Sequence, residues 1–150
     1  MSRVQLALNV DDLDAAVAFY STLFDATPAK RRPGYANFTL DSLALKLVLI
    51  ENPGAGGTLN HLGVEVASTE EVAAETRRLS AAGLPTRVED GTTCCYALQD
   101  KVWVDGPDAA RWEIYTVRAD AAPELEGRTL ADVGSLPVAF TGGEHCCCSG

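Results

Sequence analysis

The sequence has no apolar run near the roughly 20 residues that span a bilayer, and its start lacks the basic-then-apolar order of an export signal. A membrane protein and a secreted one are both set aside, and a cytoplasmic location is expected. Positive charge is scarce as well: 12 Lys and Arg stand against 21 Asp and Glu, a formal net charge of -9. Nucleic acid and anionic membrane demand clustered cations to neutralise phosphates, so neither is an expected partner, and a small molecule is. Cysteines spaced to close loops are missing too. The five present form a pair, Cys94 and Cys95, and a triplet, Cys146, Cys147 and Cys148. Adjacent thiols close nothing, which excludes a disulfide framework and points to reduced thiols in a reducing compartment. Thiol clusters suit soft ions: copper(I), cadmium, zinc or trivalent arsenic.

What is present is a weak internal repeat. The stretch Val4 to Val10 alternates as a strand does, and Asp11-Asp12 then opens an amphipathic helix with Leu13, Val17, Tyr20 and Phe24 on one face. Asn60 to Val66 repeats the strand, and Ser68 with Glu71 has capping-box spacing ahead of a helix carrying Val72, Thr76 and Leu79, which Gly83 stops. Gln5 and His61 hold the same place in the two copies, as Val10 and Val66 do. Three strand-like segments follow each helix: 26–31, 35–40 and 44–50, then 86–90, 96–104 and 111–117, with turn residues between them. Residues 51–57 read as a linker. The pattern predicts an α+β fold of two tandem βαβββ modules, 1–52 and 58–117, sharing one core. From Arg118 the periodicity is lost, and 118–150 reads as a flexible Cys-containing tail.

Alternation places Gln5 with Ala7 and Asn9, and His61 with Gly63 and Glu65. If the modules pair about a pseudo-twofold axis, Gln5 and His61 face one another. Glu113 is the third candidate, a carboxylate in the otherwise apolar and aromatic strand Arg111-Trp112-Glu113-Ile114-Tyr115. Burying a lone carboxylate is costly unless it is paired or metal-bound. The corresponding strand of the first module offers only Lys46 near its middle, so three protein ligands would leave positions open for water, dioxygen or substrate. Taken singly, a His or Gln is more often structural or solvated; the repeat register is what raises the joint case. The second histidine, His145, lies in the tail.

This pattern resembles the vicinal oxygen chelate superfamily of glyoxalase I, bleomycin-resistance proteins and extradiol dioxygenases over residues 3 to 117. Gln5 stands where extradiol enzymes carry a first-strand His. Thr92-Thr93-Cys94-Cys95-Tyr96 adds a second signal. Neighbouring residues of a regular strand face opposite ways, so a chelating pair needs a bent loop, and Gly91 offers the bend. Thiolate reactivity rather than packing best explains such a pair. Together with Gln99 to Val104, these stretches resemble the branch of the superfamily that holds carbon-arsenic lyases and cadmium-induced proteins.

The resemblance implies an iron(II)-dependent, dioxygen-consuming cleavage of the carbon-arsenic bond of trivalent organoarsenicals such as methylarsenite. It also implies that Gln5, His61 and Glu113 hold iron while Cys94 and Cys95 hold arsenic. Tyr96, Lys101, Trp103 and Tyr115 are candidate lining residues. Two rivals stand beside it: thiol sequestration of arsenic or cadmium without chemistry, and a glyoxalase-type isomerase. The first leaves the metal candidates unexplained and the second leaves the thiols unexplained. The oligomeric state, monomer or homodimer, is left open.

Overall fold

A computed structural model describes residues 2–94 and 97–120. Its eight strands and two α-helices run β1 (Arg3–Val10), α1 (Leu13–Phe24), β2 (Lys30–Arg32), β3 (Tyr35–Leu40), β4 (Leu45–Glu51), then β5 (Leu59–Glu65), α2 (Thr69–Ala81), β6 (Thr86–Cys94), β7 (Ala97–Asp105) and β8 (Arg111–Asp120). All eight strands join one sheet in the order β2-β3-β4-β1-β5-β8-β7-β6. Each half is a βαβββ module whose first and last strands lie side by side and parallel, β1 with β4 and β5 with β8. The halves meet through the antiparallel pair β1 and β5, where Gln5 faces Gly63 and Ala7 faces His61. That register is the pseudo-twofold pairing expected from the repeat.

Local chemistry sets the helix ends. The Asp12 carboxylate accepts from the Ala15 N–H at the start of α1, and the Ser68 hydroxyl accepts from the Glu71 N–H at the start of α2. Glu71 in turn accepts from the Ala67 N–H, one residue earlier than in a strict capping box. At the far end of α2 the Gly83 N–H bonds Ser80 O and the Leu84 N–H bonds Leu79 O, the paired bonds of a Schellman ending. Leu13 and Val17 of α1 pack with Ala36, Phe38, Leu40, Leu47 and Leu49 against one sheet face, joined by Leu6, Leu8, Val10, Tyr20 and Phe24. Alternation then commits Gln5, Ala7 and Asn9 of β1 to the opposite face.

Several strand ends differ from expectation. β2 is shorter than the 26–31 segment, because only Lys30 to Arg32 find ladder partners on β3. β4 starts after Ala44, which closes a short 3-10 turn at φ 47°. β6 continues past Asp90 to Cys94: a bulge between Glu89 and Thr92 absorbs Gly91, at φ 60°, and pairing on β7 resumes. β8 runs to Asp120 rather than Val117, since Ala97 and Leu98 of β7 still offer partners to Asp120 and Ala119. Cys95, Tyr96, the tail from residue 121 with His145, and the Cys146–Cys148 triplet lie outside the described residues.

Candidate metal centre

Gln5, His61 and Glu113 meet on the sheet face opposite the helices. Gln5 and His61 are diagonal neighbours across β1 and β5, and Glu113 on β8 lies beside Gly63. Gly63 makes the meeting possible: a Cβ there would stand 3.0 Å from Glu113 Cγ and 3.4 Å from Gln5 Cβ. The Gln5 side-chain nitrogen lies 2.7 Å from Glu113 Oε1 and 3.1 Å from His61 Nε2, and His61 Nε2 lies 3.3 Å from Glu113 Oε1. All three residues are buried.

A chain of amides fixes the His61 tautomer. Asn9 donates to Thr58 Oγ1, and Asn60 donates to Asn9 Oδ1. Asn60 therefore presents its carbonyl oxygen to His61 Nδ1, 2.7 Å away. With its proton on Nδ1, the imidazole turns the Nε2 lone pair inward, as a metal-ligating His requires. The Gln5 NH2 group donates one hydrogen to that lone pair and the other to the carboxylate, standing where a cation would draw the same two acceptors together. An imidazole nitrogen, a carboxylate oxygen and an amide oxygen make a donor set that suits a divalent metal. Among the described residues no three His, Cys, Asp or Glu side chains gather.

The surroundings are charged and largely buried. Lys101 Nζ, with the residue fully buried, donates to Glu113 Oε2 at 2.8 Å. Burial alone would raise the Glu113 carboxyl, but the charge and hydrogen bond of Lys101 oppose it and hold the group below the ordinary carboxylate range. The Tyr115 hydroxyl donates to Gln5 Oε1 and lies 3.5 Å from Glu65 Oε2. Burial, then the Glu65 and Glu113 charges, pushes this phenol well above its ordinary range. Lys46 lies over the Tyr115 ring, and burial lowers it against the opposing pull of Glu65, 3.5 Å away. Lys101, Trp103 and Tyr115, candidates from sequence, all face this site; Trp103 meets the His61 ring edge-on at 5.5 Å. The Asn9–Asn60 chain was missed, and Lys46, named only for its place in the first-module strand, turns out to lie beside Tyr115 and Glu65. Asn9 and Asn60 did share the repeat's register, but sequence held no sign that their amides touch.

The depressed Glu113 carboxyl carries a pH signature. Its folded value lies below the unfolded one, so its stabilisation is complete above about 4.5 and fades as pH falls toward 2. The melting temperature of metal-free protein is expected to fall steeply across that window, and less steeply in Glu113→Gln. Equal slopes for the two would contradict the assignment.

Of the cysteine pair, Cys94 ends β6, pairing in the ladder with Ala97 of β7. Cys94 is thus the last residue of a strand rather than part of a loop. Asp100 braces the bulge from behind, accepting from the Gly91 N–H at 2.8 Å, the Thr69 hydroxyl at 2.6 Å and Arg118 at 3.4 Å. Ala97 and Gln99 line a cavity of ≈ 260 Å³ that also touches Arg3, Lys46, Glu65 and Val117. Glu65 ties that cavity to the triad through Tyr115. A larger hollow, ≈ 710 Å³, opens beside the start of α1 among Asp11, Asp14, Arg31 and Glu51, and contains none of the triad.

Residues 3–114 match the family model of the glyoxalase/bleomycin resistance protein/dioxygenase superfamily. The chain belongs to this superfamily. Superfamily membership accounts for the paired βαβββ modules, and the matched span contains Gln5, His61 and Glu113. The cadmium-induced protein CadI of Mycobacterium tuberculosis is 69% identical over 121 residues, 81% of this chain and 80% of that one. A trivalent organoarsenical cleaving enzyme of Thermomonospora curvata is 52% identical over 153 residues, 98% of this chain and 100% of that one. An extradiol ring-cleaving dioxygenase of B. fuscum superposes with a TM-score of 0.60 at 18% identity, over 80% of this chain and 34% of its own, which shows the superfamily fold alone. Among the described residues no helix is long and apolar enough to cross a membrane.

Proposed function

We propose that this superfamily member is a cytoplasmic, non-haem iron(II) carbon-arsenic lyase. It cleaves trivalent organoarsenicals such as methylarsenite with consumption of dioxygen and releases inorganic arsenite. The observation that carries the reading is the convergence of Gln5, His61 and Glu113, with two inward lone pairs and an amide, on one buried point. Its support from relatives is the similarity to proteins named as trivalent organoarsenical cleaving enzymes, at 52% and 42% identity.

In this reading Gln5, His61 and Glu113 hold iron, and Cys94 with Cys95 holds arsenic. Bound there, iron(II) would supply the oxygen-reactive centre that a closed-shell zinc ion lacks. Lys101 occupies Glu113 Oε2 and so limits the carboxylate to one donor oxygen, leaving room for further ligands. The Asn60 carbonyl holds His61 in its Nδ1–H form. Two adjacent thiolates on one arsenic would replace a chance encounter by a positioned one.

Iron-loaded protein given methylarsenite in air is expected to release arsenite while dioxygen falls, and under nitrogen to bind the arsenical unchanged. The similarity to a protein named for its induction by cadmium favours one second reading, sequestration by thiols. Stoichiometric binding with no conversion, iron and air both present, would establish that reading instead.

A further inference from the structure

We infer that the Gln5 amide turns over when the centre takes a divalent cation, and that Tyr115 and Glu65 are the positioning residues that make the turned state possible. The inference rests on the metal-centre reading of Gln5, His61 and Glu113.

In the arrangement described above the amide orientation is dictated by its neighbours. The NH2 group faces two acceptors, His61 Nε2 and Glu113 Oε1, and the carbonyl oxygen receives the Tyr115 hydroxyl proton. The reverse orientation would press an amide oxygen against a carboxylate oxygen at hydrogen-bond distance, with no proton between them. A cation inverts this preference. Metals bind the amide through its oxygen, because the nitrogen lone pair is delocalised and its hydrogens are donors only. For Gln5 to ligate, the amide must rotate by half a turn, so that Oε1 replaces Nε2 at the centre.

That rotation sets the NH2 group against the Tyr115 hydroxyl. Two donors cannot bond each other, so the hydroxyl must accept from Nε2 and send its own proton elsewhere. Tyr115 is fully buried, so the new acceptor has to lie close to the hydroxyl. The acceptor within reach is Glu65 Oε2, 3.5 Å from the hydroxyl and held by Lys46 Nζ at 3.5 Å and Arg3 Nε at 3.7 Å. A hydroxyl rotor can make this exchange of partners without moving its ring. The 3.5 Å contact is long for an O–H bond, so the two groups have to draw closer to engage fully.

The test uses Zn2+ alone as a diamagnetic probe and reads contacts by NMR on isotopically labelled full-length protein, with Gln5→Glu assigning the Gln5 NH2 signals. Metal-free protein is expected to show those hydrogens near the His61 ring, and the zinc form near the Tyr115 ring. The affinity for Zn2+ gives a second reading. Glu65→Leu is expected to weaken it by roughly tenfold more in the natural background than in the Tyr115→Phe background, the cost of one buried donor left unmade. Comparing the two backgrounds cancels the effect of Lys46 losing its counter-charge, which is common to both. Zinc bound at the centre with unchanged Gln5 contacts, or with equal Glu65→Leu effects in both backgrounds, overturns the inference and leaves the metal centre standing. No zinc bound at the centre overturns both.

Discussion

His61→Ala is expected to lower divalent metal affinity by more than 100-fold while leaving the fold intact. Losing a hydrogen-bond partner behind a ligand already costs some 10–100-fold, and His61 is itself one of three candidate donors. Its removal opens a cavity beside Trp103 but breaks no buried ion pair of Lys101. Glu113→Ala is expected to lose metal as completely, yet with a larger loss of stability. It deletes the carboxylate facing buried Lys101, and breaking such a pair costs on the order of 3–5 kcal/mol. Glu113→Gln keeps an acceptor for Lys101 and separates the two effects. Calorimetric titration with Mn2+ and thermal melts of the metal-free proteins read them independently. A full metal equivalent retained by His61→Ala would remove the triad as the metal centre.

Cys94→Ser and Cys95→Ser are each expected to reduce methylarsenite affinity by about 100-fold or more, abolish turnover, and leave metal binding unchanged. A serine hydroxyl is a hard, un-ionised donor that a soft arsenic centre accepts poorly. Losing one thiolate also loses the chelate, in which the second sulfur acts at an effective concentration of order millimolar or above. The effect is the mirror image of His61→Ala, which should still bind the arsenical and fail to convert it. Arsenical binding by isothermal titration under nitrogen, set beside Mn2+ titration, reads both columns. Full arsenical affinity in either serine variant would move the arsenic site elsewhere, with the Cys146–Cys148 triplet next to be tested.

Much of this arrangement was legible because it repeats. The shift from Gln5 to His61 coincides with the shift between β1 and β5, and period-two alternation put both on one face before any contact was known. Glu113 was legible for another reason, as a carboxylate in a strand otherwise built to be dry. What stayed hidden depends on pairings between distant strands. Lys101 reaches Glu113 only because β7 and β8 lie antiparallel with Lys101 beside Tyr115 and Trp103 beside Glu113. The extension of β6 to Cys94 was missed because Gly91 reads as a turn, whereas a bulge braced by Asp100 lets pairing resume beyond it.

The match of the two halves fails at one informative place. Ala7 pairs with Val48 as Gly63 pairs with Glu113, so Val48 occupies the mirror position of the carboxylate. It lies buried with Ala7, Tyr35 and Ile50. A fully symmetric duplicate would aim two acids at the Gln5–His61 pair, crowd the centre with donors and bring in a second negative charge. This chain instead meets the pair with an acid from one half and hydrocarbon from the other. The centre is therefore lopsided: its acid and the Lys101 that balances it both come from the second module, while the mirror position in the first is filled by buried hydrocarbon.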